Sequence, residues 1–315
     1  MAGMWTVSGL GALPGGSAQG MVQWPGVGRE VPLALIHGRE DGPLTVILGG
    51  IHGCEYTSID AAIRLAGILR GQEVRGRIAL VPVVATEAYA GRSIYVHPVD
   101  RKNLNRSMPG DPEGSETDRL AFRLTEALTG ACDYLIDLHG GDMNEALVPF
   151  ILYSRTADPD LNARSLRFAR AFGIRYVVAG DTPGSTYSVA AGRGKVAVLA
   201  EAGQQGILDR AGSSLLVEGT LNALRSAGII PGPVVEHGGL EVVDQFIWTR
   251  SGHFGAWYPA VAVGDRVEAG RPAGVITDLL GNLLQEVSVP ASGPVLFCVT
   301  SLAINRGDPL FAVGC

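Results

Sequence analysis

From about residue 43 to residue 227 the chain alternates two apolar patterns, and that alternation leaves few architectures open. PLTVILGG (43–50), RIALVPVVA (77–85), YLIDLHG (134–140), FILYS (150–154), IRYVVAG (174–180) and KVAVLAEAG (195–203) are short apolar runs. They read as strands covered on both faces. Between them lie stretches of helical spacing. In SIDAAIRLAGILR (58–70), Ile59, Ala62, Ile63, Ala66 and Leu69 fall on one face, and Ser58 or Thr57 suits the N-cap. ETDRLAFRLTEALT (116–129) has Ser115 as N-cap with Asp118 three residues on. Further helices are predicted within 159–172 and from about Ser213 to Ala227. The pattern predicts an α/β fold, a mostly parallel mixed sheet flanked by helices.

The pattern changes near GIIPGPVVEHGG (228–239). Beyond it come short strands, frequent glycines and no clear helix. Val267, Gly270, Pro272 and Ile276 recur as Ile304, Gly307, Pro309 and Val313 at a constant offset of 37. Two copies of strand–turn–strand suggest a small pseudo-symmetric β-sandwich or barrel. The expected division is therefore 1–235 for the α/β part and 236–315 for the β-rich part.

The chain has 315 residues, 46% hydrophobic and only 18% charged, which excludes intrinsic disorder. Its formal net charge is −6, against a nucleic-acid partner bound through phosphate neutralisation. Only Lys102 and Lys195 are lysines; the other basic residues are arginines. No apolar run approaches the ~18 residues of a membrane span, so no membrane partner is expected. The opening MAGMWTVSGLGALPGG lacks the basic start and apolar run of a secretory signal. Cys54, Cys132, Cys298 and Cys315 are scattered and read as reduced thiols in a cytoplasmic protein.

GGIHGCEYTS (49–58) holds His52 and Glu55 just after a strand and just before a helix. In a parallel sheet this is the carboxyl edge, where ligands bind. An imidazole and a carboxylate from one tight turn can both reach a zinc ion. HxxE alone is also an ordinary solvated loop. His139, ending YLIDLH on the same edge, is the natural third ligand, with Asp137 placed to orient an imidazole. Two strand-end histidines and a glutamate, each beside glycine, are hard to explain by packing. RSIYVHPVDRKNLNRSMPGDPEGSE (92–116) gathers Arg92, Arg101, Lys102, Asn105 and Arg106, a group able to clamp a substrate carboxylate or simply to form a solvated loop. Glu201 follows the apolar strand VAVLA, where desolvation would raise its pKa toward that of a general base. A strand-end salt bridge is its bland alternative. Asp142 and Glu145, just beyond His139, stand in reserve for that role.

These elements in this order resemble the succinylglutamate desuccinylase/aspartoacylase family of the zinc carboxypeptidase-like clan, over nearly the whole chain. GGIHGCEY is similar to its strand–HxxE turn, NLNR to its Asn-Arg motif, DLHGG to its third-ligand strand and AEAG to its catalytic Glu strand. HPVDRKNLNRSMPGDPEGS is most similar to the bacterial subgroup containing the N-acetyl-diaminobutyrate deacetylases. The resemblance implies one Zn²⁺ per chain on His52, Glu55 and His139. It implies Asn105 and Arg106 as binders of the substrate carboxylate and Glu201 as the general base. Arg92 corresponds to the arginine that polarises the carbonyl, with Arg101 competing for that role. The C-terminal part resembles the barrel-sandwich of lipoyl and biotinyl carriers. It has no lysine for a prosthetic group, so a lid or oligomerisation role is expected, and a homo-oligomer is compatible with it. Trp257 or Tyr258 either reaches the active site from there or packs the interface.

The expected activity is zinc-dependent hydrolysis of the amide of a small N-acylated amino acid or amine, with Cys54 a spectator. A peptide-trimming metallocarboxypeptidase is the enzymatic alternative. A non-catalytic metal or small-molecule binding protein is the other, although it would have no need of Glu201.

Overall fold

The computed structural model describes residues 3–315, so the first two residues of the opening stretch lie outside it. The chain begins with a hairpin, β1 (Trp5–Val7) and β2 (Leu10–Ala12), followed by β3 (Gly16–Val22), β4 (Val31–His37) and β5 (Glu40–Leu48). Then come α1 (Tyr56–Leu69), β6 (Arg75–Val81), α2 (Thr86–Gly91), α3 (Glu116–Leu124) and β7 (Tyr134–His139). After β8 (Glu145–Leu147) and β9 (Phe150–Tyr153) follow α4 (Pro159–Arg170), β10 (Tyr176–Ala179), α5 (Thr186–Gly192), β11 (Val196–Glu201), α6 (Arg210–Ser226) and β12 (Glu241–Val243). Nine strands form one sheet in the order β12-β10-β9-β11-β7-β5-β6-β4-β3. Its centre, β11-β7-β5-β6, is parallel throughout, while β9 runs antiparallel to β11 and β4 antiparallel to β6. The fold is therefore mixed α/β.

Side-chain alternation explains the apolar runs. Ile47, Ile136, Val198 and Ala200 point into a core covered by α1, α4 and α6. Val46, Leu48, Leu135 and Leu199 point the other way, into a core with Ala88 of α2, Leu120 of α3 and Tyr187 of α5. With both faces covered, the central strands are apolar at most positions, with Thr45 and Asp137 as buried polar exceptions. A fully buried Leu or Ile contributes roughly 1.5–3 kcal/mol.

Helix starts differ from expectation for local chemical reasons. α1 begins at Tyr56, and neither Thr57 nor Ser58 caps it. Thr57 Oγ1 donates to the Ile207 carbonyl and Ser58 Oγ to the Glu55 carbonyl. The residue in the N-cap position is Glu55, whose side chain is engaged elsewhere. α6 begins at Arg210 because Asp209 accepts from the Ala211 N–H at 2.9 Å. At α3 the expected capping holds: the Asp118 carboxylate accepts from both the N–H and the hydroxyl of Ser115.

Beyond Ser226 the described residues contain strands and no helix. β13 (Phe246–Arg250), β14 (Gly255–Pro259), β15 (Arg266–Val267), β16 (Pro272–Thr277), β17 (Leu283–Ser288), β18 (Gly293–Val299), β19 (Ala303–Ile304) and β20 (Pro309–Gly314) form two sheets. Their orders are β13-β20-β18-β15 and β17-β16-β14-β19. Adding 37 to the ends of β15 and β16 gives β19 and β20, so the sequence offset is a structural repeat. Strand pairing crosses residue 235 in both directions. β12 adds to the large sheet beside β10, and β8 pairs with β18. No helix is long and apolar enough to cross a membrane.

Candidate metal centre and active site

The carboxyl ends of β5, β7 and β11 lie side by side, because these three parallel strands are neighbours in the sheet. Each carries one part of the site. After β5 the chain turns tightly through Gly49–Gly53 to reach α1. A Cβ on Gly53 would sit 2.3 Å from the Ala88 and Tyr89 backbone of α2, so only glycine lets the turn approach so closely. This turn presents His52 and Glu55. β7 ends at His139, and β11 ends at Glu201, its register partner. A Cβ on Gly140 would meet the Ala202 carbonyl at 2.4 Å, so the two strand ends stay in close contact.

The Glu55 carboxylate lies between two imidazoles. Its Oε1 is 2.6 Å from His52 Nδ1 and its Oε2 2.9 Å from His139 Nδ1. Ligand atoms of His52, Glu55 and His139 all fall within 4.8 Å of one another. Both histidines turn Nδ1 inward and give Nε2 to an outer acceptor. For His52 this is Asn103 Oδ1 at 3.0 Å; for His139 it is Asp137 Oδ2 at 3.0 Å. Asp137 also accepts from the Thr186 hydroxyl, and the Thr186 N–H donates to Asn105 Oδ1 at 3.0 Å. Such outer contacts fix ring orientation and point the inward nitrogen, here against Glu55, to where a metal would sit. Two imidazole nitrogens and a carboxylate suit Zn²⁺. Glu201 Oε2 is buried with no hydrogen-bond partner, a polar atom that a water beside a metal would satisfy. The residues therefore fit a divalent metal.

Electrostatics separate the carboxylates. Burial opposes ionisation of Glu55, but His139 and His52 outweigh it and lower its pKa to about 2. Burial disfavours a charged His139, yet Asp137 and Glu55 hold its pKa well above the usual histidine value. For Glu201, burial raises the pKa well above the carboxylate range; His139 opposes this, while Glu55, Glu145 and Asp137 add to it. Burial likewise raises Glu145 to about 7. Its Oε2 accepts from the Asp142 N–H at 3.0 Å. Asp142 is itself fully buried and accepts from the Tyr95 and Met143 N–H groups.

The structure thus brings His52, Glu55, His139, Asp137, Asn105 and Glu201 into one cluster. Arg106 lies beside it. Its guanidinium donates to the Asn105 carbonyl at 2.7 Å and senses the charges of Glu145, Arg250 and Glu201. Arg92, with φ +49°, is near enough to influence the Cys54 thiol and Tyr56 phenol on either side of Glu55. Arg101 is exposed, and Lys102 is paired with Asp118 at the start of α3. Trp257 packs in the core of the C-terminal sheets, and Tyr258 is exposed. Sequence reasoning missed Asn103 and Thr186, which act on the site through other side chains. Asn103 opens the NLNR stretch, and that was its one signal; Thr186 had none. It also missed Arg250 on β13, whose charge reaches Arg106 from the C-terminal sheets.

Fold and site define an α/β chain with a candidate His–Glu–His metal centre at the carboxyl edge of its sheet. Residues 41–227 match the model of the succinylglutamate desuccinylase/aspartoacylase catalytic domain, and the chain belongs to that family. It is similar to an N-alpha-acetyl-L-2,4-diaminobutyric acid deacetylase of Halomonas elongata, with 30% identity over 90% of this chain and 85% of the relative. The product-bound ectoine utilization protein EutE of Ruegeria pomeroyi superposes with a TM-score of 0.82 at 26% identity, covering 100% of this chain and 96% of that one. A succinylglutamate desuccinylase/aspartoacylase of Rhodobacter sphaeroides gives 0.81 at 28% identity, covering 95% and 94%.

Proposed function

We propose that this protein is a zinc-dependent deacylase of small N-acylated amino acids that carry a carboxylate. The observation that supports this best is the Glu55 carboxylate held between two inward Nδ1 atoms, with the unpartnered Glu201 on the adjoining strand end. His52, Glu55 and His139 would hold one zinc ion. Bound zinc would lower the pKa of a water toward ~7 and polarise the acyl carbonyl. Glu201 takes a proton from the attacking water as the oxygen adds to the acyl carbon. Arg92 stabilises the oxyanion that develops. Glu201 then returns the proton to the leaving nitrogen as the C–N bond breaks. A carboxylate and a free amine result, with no covalent acyl-enzyme. Asn105 and Arg106 hold the carboxylate end of the substrate.

The name of the Halomonas relative makes N-acetyl amino acids the first substrates to try. Residues 236–315, apart from β12 in the large sheet, would form a barrel-sandwich module that covers the site or mediates self-association. The four unpaired cysteines suit a reducing, cytoplasmic compartment. The test is a screen of N-acetyl, N-succinyl and N-formyl amino acids with and without added zinc, reading released amine. Zinc-stimulated release from at least one class is expected. Failure of all three would overturn the proposal.

A further inference from the structure

We propose that a cleft at the amino-terminal edge of the large sheet, remote from the candidate metal centre, binds a small molecule carrying a di- or triphosphate group. The cleft has a volume of about 840 Å³ and is lined by Arg39, Arg70, Arg75 and Arg225, together with Glu40 and Glu73. That volume lies within the ~300–1,000 Å³ of small-molecule sites. Arg39 precedes β5, Arg75 opens β6, Arg70 follows the end of α1 and Arg225 stands in the last turn of α6. His52, Glu55, His139 and Glu201 lie at the opposite, carboxyl edge of the sheet, so a ligand here would not meet the substrate.

The state of the guanidiniums carries the inference. Seven arginines elsewhere in the chain pair with carboxylates. Among the described residues, none of these four does, although the whole chain is negatively charged and two glutamates share the cleft. Arg70 and Arg75 give only Nε to the protein, to the carbonyls of Ala66 and Gly228. The Nε of Arg225 is buried without a partner. Arg39 and Arg225 also lie against bare glycine backbone. A Cβ on Gly15 would lie 2.9 Å from Arg39 Nε, and one on Gly232 the same distance from Arg225 Nε. Both glycines have positive φ, and their bare backbones leave room for the arginines. Helix C-termini favour cations, which accounts for Arg70 and Arg225 but not for Arg39 and Arg75. Four guanidiniums with unfilled Nη donors match the many anionic oxygens of a polyphosphate. The limited volume and the overall negative charge favour a small anion over a nucleic acid.

Calorimetric titration of the metal-loaded protein with inorganic pyrophosphate, and separately with ATP, tests this. Saturable binding of one molecule per chain is expected for at least one of them. The double variant Arg39→Gln/Arg75→Gln, and independently Arg225→Gln, should weaken it at least tenfold, about 1.4 kcal/mol. Turnover of the proposed substrate should not change in either. Equal affinity for both ligands would assign recognition to the phosphates; tighter ATP binding would add the nucleoside, and either supports the site. Both ligands also chelate metals. Binding that survives the arginine substitutions would therefore belong to the metal centre and overturn the proposal. So would the absence of binding by both ligands at about millimolar concentration.

Discussion

Glu201→Gln separates the three roles open to this carboxylate: base, metal ligand or packing group. Gln has nearly the same shape and can still hydrogen-bond, but it can neither accept the water proton nor return one to the leaving nitrogen. General acid–base help of this kind is worth ~10²–10⁴-fold, or roughly 3–5 kcal/mol. The fold adds a second magnitude to follow. Burial raises the folded pKa of Glu201 above that of the unfolded chain. The folded state therefore holds its proton to higher pH, and stability falls as pH rises from the unfolded carboxyl pKa, about 4.3, through the folded one. The penalty is complete above the folded pKa. Metal-free Glu201→Gln should therefore melt above metal-free wild type at about pH 8, and the difference should vanish near pH 4. The assays are kcat, zinc content and thermal denaturation at the two pH values. A kcat within about threefold of wild type would refute the base assignment, given the expected range, and would point to Asp142 or Glu145. Zinc lost together with activity would instead make Glu201 a ligand.

His139→Ala should strip most of the metal, because a site left with two protein ligands does not survive dilution; full retention, measured by elemental analysis, would show that the third ligand is another residue. Arg106→Ala should raise KM more than it lowers kcat, since a carboxylate clamp acts largely in the ground state. Arg106→Lys should recover only part of the loss because the planar fork is gone, and an unchanged kcat/KM for Arg106→Ala would exclude the clamp. Glu145, raised by burial to about 7, ionises at a cost in the folded state. Glu145→Gln should raise the melting temperature relative to wild type above that pH and leave it unchanged near pH 4; a gap constant across the range would mean that the effect is not the charge.

The sequence made the central strands legible because burial on both faces wrote them as continuous apolar runs, as in VILGG and VAVLAE. The edge strand β3, GSAQGMV, alternates half-covered and exposed residues built from glycine, serine and glutamine, so it left no such run. α2 and α5 have six and seven residues, fewer than two full turns, too short for periodicity to stand out. The strand-end placement of His52, Glu55, His139 and Glu201 followed from those runs. What could not be read was which side chains would hold them. Thr186 reaches Asp137 across 49 residues of sequence, and Asn103 reaches His52 across 51. Contacts at that separation are set by the packing of α5 and of the 92–106 loop on the sheet. The position of β12 was illegible for the same reason. Three residues are too short a run to carry a pattern of their own.

The two glutamates of the site are both buried, and burial alone would give them the same chemistry. Their difference comes from strand order. β7 stands between β5 and β11, so His139 is the neighbour of both carboxylates. Its Nδ1 is turned to Glu55, and its Nε2 is held by Asp137 on its own strand. Glu55, leaving the turn after β5, receives a second imidazole from His52 and the Gly140 N–H at 3.3 Å. With donors on both oxygens it stays ionised far below neutrality, as its proposed role as a metal ligand requires. Glu201 enters from the opposite side, has no donor for Oε2 and faces the accumulated charge of the other carboxylates. It keeps its proton to higher pH, in keeping with its proposed role of accepting and returning a proton. Moving either glutamate to the other strand end would exchange these environments. The proposed division of labour therefore follows from the order of three parallel strands, and the loops beyond them would choose the substrate.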